Sequence, residues 1–113
     1  MSERIPRINE LVKQQLNTII MSEIEFPRNC LVTIMRVETS KDLRHARILI
    51  SVMPRLYIPK VLEKLRKNKG HLEYELHQKL SMKPLPKLNF RIDETEKRAS
   101  EIEDLLDRIK ENG

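Results

Sequence analysis

A chain of 113 residues has the length of one domain, read here as 1–113. Its single cysteine, Cys30, excludes an intramolecular disulfide and a four-cysteine zinc site, and no apolar run approaches the ~18 residues of a membrane span. Hydrophobic residues make up 39% and charged residues 35%, with 22 Lys plus Arg against 17 Asp plus Glu, so a modest core lies under an ionic surface of net charge +5.

The opening MSERIPRINE carries charges where a signal peptide needs an apolar stretch, which points to a soluble, cytoplasmic protein. The spacing predicts a first helix over 5–25. Ile8, Leu11, Val12, Leu16, Ile19 and Ile20 recur at steps of three and four, Pro6 suits the first turn and Pro27 ends the run. LVTIMRVE (31–38) is rich in β-branched residues and reads as a strand, and HARILISVM (45–53) as a second. In the second, Ala46, Ile48, Ile50 and Val52 share one face; His45, Arg47, Leu49 and Ser51 share the other. The short polar link TSKDL makes the pair an antiparallel hairpin. After a loop between Pro54 and Pro59, helical spacing runs through Val61, Leu62 and Leu65 and on through Leu72, Leu76 and Leu80 until Pro84 and Pro86. Leu88, Phe90 and Ile92 alternate with Asn89 and Arg91 as a third strand. A last helix is expected over 94–111, with Ala99, Ile102, Leu105, Leu106 and Ile109 on one side, packed on the domain.

The chain's one internal glycine falls inside a helical pattern, in KLRKNKGHLE (64–73), where Gly costs about 1 kcal/mol relative to Ala. At about 100° per residue a straight helix would aim Lys69 at the apolar stripe defined by Leu65 and Leu72. A buried, unpaired ammonium is too costly to keep. The helix should therefore break near Asn68–Gly70 and turn Lys69 outward, with Gly70 as a helix C′ residue. A second helix would start there, its positive dipole end among Arg66, Lys67, Lys69 and His71. Two readings of this stretch stand together: a tight turn between packed helices, and a phosphate site. The surrounding charge favours a polyanion. Residues 54–92 hold ten basic and three acidic side chains, whereas 93–113 hold four and eight.

The order helix, strand, strand, broken helix, strand, helix resembles a type II KH-like domain, an α+β fold, with the basic kink where KH domains carry their GxxG loop. More specifically, the chain is similar to the ribosome-binding factor A family. The matching blocks are RIPRINELV (4–12), EFPRNCLVTIMRVETSKDLRHARILISV (25–52), NKGHLEYELHQKL (68–80) and PKLNFRIDETEKRASEIEDLL (86–106). Asn68 departs from the small alanine usual at the family's kink. The resemblance implies a three-stranded sheet with helices on one face. It also implies a protein that binds the immature small ribosomal subunit and its ribosomal RNA, assists late maturation and 5′-end processing, matters in the cold, and is released with help from a ribosome-associated GTPase. Such proteins are not enzymes.

The residues agree with that expectation. No GxxxxGK loop is present, so no cofactor is expected, and His71 and His77 are six apart, too far round a helix to form a metal pair. Cys30 reads as a small core thiol, and Asp42 as a turn residue bonding its own backbone. Four aromatics, Phe26, Tyr57, Tyr74 and Phe90, are too few for a base-stacking platform, so RNA contact should rest on phosphates and shape. The expected contact residues are Lys60, Lys64 and Lys67 on one helix face, with Arg66, Asn68, Lys69, Gly70 and His71 at the kink. Arg44 and Arg47 extend the patch. A monomer is expected. The alternative is a protein-binding adaptor that presents the apolar stripe of residues 99–109 to a partner.

Overall fold

Val12, Leu16, Ile19 and Ile20 are the buried residues of the first helix, α1 (Arg4–Glu23), so the stripe anticipated from the spacing is the one that faces the core. The computed structural model describes residues 4–81, 86–95, 105, 106 and 109. After α1 come β1 (Leu31–Thr39), β2 (His45–Met53), a 3-10 turn (Arg55–Tyr57), α2 (Ile58–Lys67), α3 (Lys69–Leu80) and β3 (Lys87–Ile92).

The sheet order is β1-β2-β3. β1 and β2 pair antiparallel, and β2 and β3 pair parallel. A parallel pair needs a crossover, which α2 and α3 supply. The β1–β2 register shifts between Ile34 and Arg36, leaving Met35 as the extra residue of a bulge. The shift lets Ile34 and Val37, three apart, both be buried, which strict alternation forbids. Ala46, Ile48, Ile50 and Val52 of β2 join Leu88 and Phe90 of β3 against Val12 and Leu16 of α1, Val61 and Leu65 of α2, and Leu72 and Leu76 of α3. The helices thus cover one face of the sheet. Each of the buried Val, Leu, Ile and Phe side chains contributes about 1.5–3 kcal/mol.

The hairpin turn carries its own network. The Ser40 hydroxyl donates to Asp42 Oδ1 at 2.6 Å, the Arg44 amide donates to the same oxygen at 3.0 Å, and the His45 amide donates to Ser40 Oγ at 3.1 Å. These bonds hold Leu43 at φ 62, a left-handed conformation unusual for leucine, with its side chain buried. Ser40 and the Arg44 amide, in that order, hold the Asp42 carboxyl below the usual aspartate range.

β3 lies at the sheet edge, yet two of its outward backbone groups are covered by side chains from the helices. Glu73 of α3 accepts the Leu88 amide at 2.7 Å, and Arg66 of α2 donates to the Phe90 carbonyl at 3.3 Å. An edge closed in this way resists pairing with another chain.

Most of the expected final helix lies outside the described residues. Leu105, Leu106 and Ile109 are helical and each more than half exposed. The rest of the expected stripe, Ala99 and Ile102, lies outside the described residues. Among the described residues, no helix is long and apolar enough to cross a membrane.

Candidate functional site

The helical run breaks at one residue, Asn68, between α2 and α3. Asn68 has φ −97 and ψ 8. Its amide and its side-chain Nδ2 both donate to the Lys64 carbonyl, at 3.1 and 2.8 Å, and its carbonyl accepts the Leu72 amide at 2.9 Å. Asn68 thereby closes the last turn of α2 and opens α3, where the family's usual alanine has no side-chain amide to offer.

Gly70 has a different place from the one anticipated. It is the second residue of α3, and no glycine among the described residues has a positive φ. The expectation of Gly70 as a C′ residue in the left-handed region is therefore corrected: the break is made two residues earlier, by an asparagine in ordinary backbone. The left-handed cap of this segment is at the far end of α3, at Ser81, φ 50. A Cβ built on Gly70 would meet nothing within 4 Å, and the residue is exposed. Neither backbone conformation nor internal packing calls for a glycine there.

The expected cations sort into two groups. Lys64 donates to the Glu25 carbonyl in the loop after α1, and Arg66 to the Phe90 carbonyl. His71 Nε2 lies 2.6 Å from Glu23 Oε2. These three tie the kink to α1, its following loop and β3. Lys60 and Lys67 are exposed and Lys69 half-buried, and none has a hydrogen-bond or ion-pair partner among the described residues. Lys69 thus leaves the core, as the stripe geometry requires, while keeping part of its stem covered. Lys64, Arg66 and Lys67 also occupy the last turn of α2, where positive charge complements the helix dipole.

Arg47 does not join the kink. It lies on the β2 face turned away from the helices, 3.7 Å from Glu38. Arg44 is in the hairpin turn, exposed, with its carbonyl accepting the Lys87 amide at 2.8 Å. The patch centres on α2 and α3.

His71 has a neighbourhood that its spacing from His77 could not reveal. Glu23 from α1 and Glu75 from α3 bring carboxylate oxygens so close that the three ligand atoms lie within 4.8 Å of one another. Glu23 and His71 are exposed, and the hydrogen bond between them accounts for the contact. Burial pushes the Cys30 thiol up, which suits the inert role anticipated for it.

The model of the ribosome-binding factor A family matches residues 4–106. This chain belongs to that family. A ribosome-binding factor A from Akkermansia muciniphila is 30% identical over 112 residues, covering 99% of this chain and 89% of the relative. The crystal structure of ribosome-binding factor A from Thermus thermophilus superposes with a TM-score of 0.67 at 21% identity, covering 78% of this chain and 94% of that one. A homology model of Thermus thermophilus ribosome binding factor A, fitted into the electron-microscopy map of a 30S complex, gives a TM-score of 0.64 at 24% identity, covering 75% of this chain and 90% of that one. These likenesses establish the α+β family fold of helices on one face of a three-stranded mixed sheet.

Proposed function

We propose that this ribosome-binding factor A family member binds the immature small ribosomal subunit through its ribosomal RNA, using the α2–α3 kink. In this reading it assists late maturation and 5′-end processing of that RNA in the cytoplasm, including in the cold, without itself catalysing a reaction. A ribosome-associated GTPase helps to release it. The Thermus thermophilus relative in its 30S complex supports the choice of partner.

The observation that carries the site assignment is Gly70. Its missing side chain serves neither the fold nor the backbone, so the open space above it is left for something that approaches from outside. Lys60, Lys67 and Lys69, unpaired among the described residues, give that approach a positive rim. An RNA backbone fits both features, because phosphates need close access and cations rather than aromatic platforms. Lys64, Arg66 and His71 hold the kink in place from behind.

Co-sedimentation with immature small subunits across a salt series tests the reading. Replacing Lys60, Lys67 and Lys69 by Gln should weaken binding and make the slope of log affinity against log salt shallower by about 2–3 units. Unchanged binding by a folded triple variant would remove the kink as the site. The exposed Leu105, Leu106 and Ile109 favour a second reading, an apolar adaptor contact. Binding that is insensitive to salt and lost on changing these three to Ser would select it.

A further inference from the structure

The sheet face turned away from the helices carries its own array of cations, set by strand register. Arg36 of β1, Leu49 of β2 and Arg91 of β3 are paired in one cross-strand row. Glu38, Arg47 and Asn89 form the next row on the same face. Neighbouring strands lie about 4.8 Å apart and successive same-face residues about 6.8 Å apart, so three guanidiniums share one small area. Leu49 is 7% exposed and, with Arg47 and Arg91, lines a cleft of about 370 Å³. Arg36 and Arg47 remain more than half exposed despite sharing Glu38, at 3.3 and 3.7 Å. Arg91 is exposed and has no hydrogen-bond or ion-pair partner among the described residues. Asp93, two residues beyond Arg91, also feels the charge of Arg36, so two carboxylates against three guanidiniums leave the array at net +1.

We propose that this sheet face, opposite α1, α2 and α3, is a second RNA-contacting surface, taking backbone phosphates of a structured RNA on Arg36, Arg47 and Arg91. The proposal extends the kink reading to a second site on the opposite side of the sheet. Arginine suits phosphate binding because its planar fork matches phosphate oxygens two at a time, and because it is weakly hydrated and therefore cheap to desolvate. Glu38 orients two of the three guanidiniums and is also their internal competitor. A phosphate that engages Arg36 or Arg47 replaces part of that contact. This face is small, so its contribution is an added set of contacts to an RNA already held at the kink, and the two surfaces together grip more than one part of a folded target.

Fluorescence anisotropy with a labelled mixed-sequence RNA hairpin, read across a salt series, tests this. The double variant Arg36→Gln/Arg91→Gln should bind several-fold more weakly and with a slope shallower by about 1–2 units, and its loss should add to that of Lys60→Gln/Lys67→Gln. Glu38→Gln should bind more tightly than wild type, and more so than the exposed control Glu10→Gln; a gain of this kind cannot come from misfolding. If Arg36→Gln/Arg91→Gln binds as wild type while the lysine pair is impaired, the second surface is refuted and the kink reading stands. If only the arginine pair is impaired, the second surface stands and the kink reading falls. An equal loss in Lys13→Gln/Lys79→Gln would mean that net charge alone drives binding and would refute both. Poly-glutamate competing as well as the hairpin for the arginine pair would assign the face to an acidic protein and refute the RNA occupant.

Discussion

Replacing Gly70 by Ala should separate stability from RNA binding. Gly70 is the second residue of α3, with no positive φ and open space where a Cβ would go. In a helix interior alanine is favoured over glycine by about 0.8–1 kcal/mol, and restricting the unfolded chain acts in the same direction. Gly70 lies in the first turn, where part of that preference is lost, so a gain of about 0.5–1 kcal/mol is expected. For a domain of this size that is a rise in Tm of about 2–8 °C. Gly70→Val should be near neutral, because valine returns most of alanine's advantage through its restricted χ1. Thermal and urea unfolding followed by circular dichroism measure these changes directly. The same variants, assayed for small-subunit binding, should bind more weakly, because the added carbon occupies the approach of the RNA backbone. A clear loss of stability in Gly70→Ala would mean that the residue adopts left-handed backbone in solution, and the argument from its empty surroundings would fail. Greater stability with unchanged binding would leave the fold account intact and remove Gly70 from the contact surface.

Three further outcomes follow from the packing. Phe90, 1% exposed at the centre of the core, should cost about 3–5 kcal/mol when changed to Ala, measured by urea unfolding. Arg66→Ala should cost about 0.5–1.5 kcal/mol through loss of its bond to the Phe90 carbonyl, whereas Lys67→Ala should stay within about 0.5 kcal/mol; equal effects would refute the division into anchoring and free cations. Asp42 has a depressed carboxyl in the folded hairpin, so its contribution is present above the unfolded pKa, near pH 4, and is lost as the pH falls through the lower folded value. The stability difference between wild type and Asp42→Ala should therefore shrink on acidification below about pH 4 and stay flat from about pH 5 to 8; a difference that persists to about pH 2 would refute the role of the charged form.

Element order and type were legible because each rests on local periodicity. The α1 stripe and the β2 alternation each point one set of apolar residues at the core, and tertiary packing agrees with both. The break at residues 68–70 was legible for a different reason: Lys69 could not remain in register with Leu65 and Leu72. Which residue makes the break was not, because glycine is the general breaker. Asn68 acts through a side-chain bond to a carbonyl one turn back, a contact that exists only once α2 has formed. The bulge at Met35 was hidden likewise, since burial of both Ile34 and Val37 is decided by pairing with β2. Arg47 could be placed on its strand face from the sequence, but that this face looks away from the kink depends on which side the helices pack. The edge-covering roles of Glu73 and Arg66 join residues 15 and 24 apart and leave no local signal.

The sorting of cations sets how steeply binding can depend on salt. Residues 54–92 carry a net +7, and if every excess charge met a phosphate the slope would approach about 5–6. Lys64 and Arg66 are already bonded to backbone carbonyls of other elements, and moving them to RNA would loosen the loop after α1 and the edge of β3. The kink then has Lys60, Lys67 and Lys69 to offer, for a slope of about 2–3. Adding Arg36, Arg47 and Arg91 from the sheet face opposite α1, α2 and α3 brings it to about 4–5, part of it offset by Glu38 and Asp93. The wild-type slope on a single RNA hairpin therefore distinguishes one surface from two before any residue is changed. A value near about 1 would leave too few phosphate contacts for either surface, and would turn attention to the apolar residues exposed near the C-terminus.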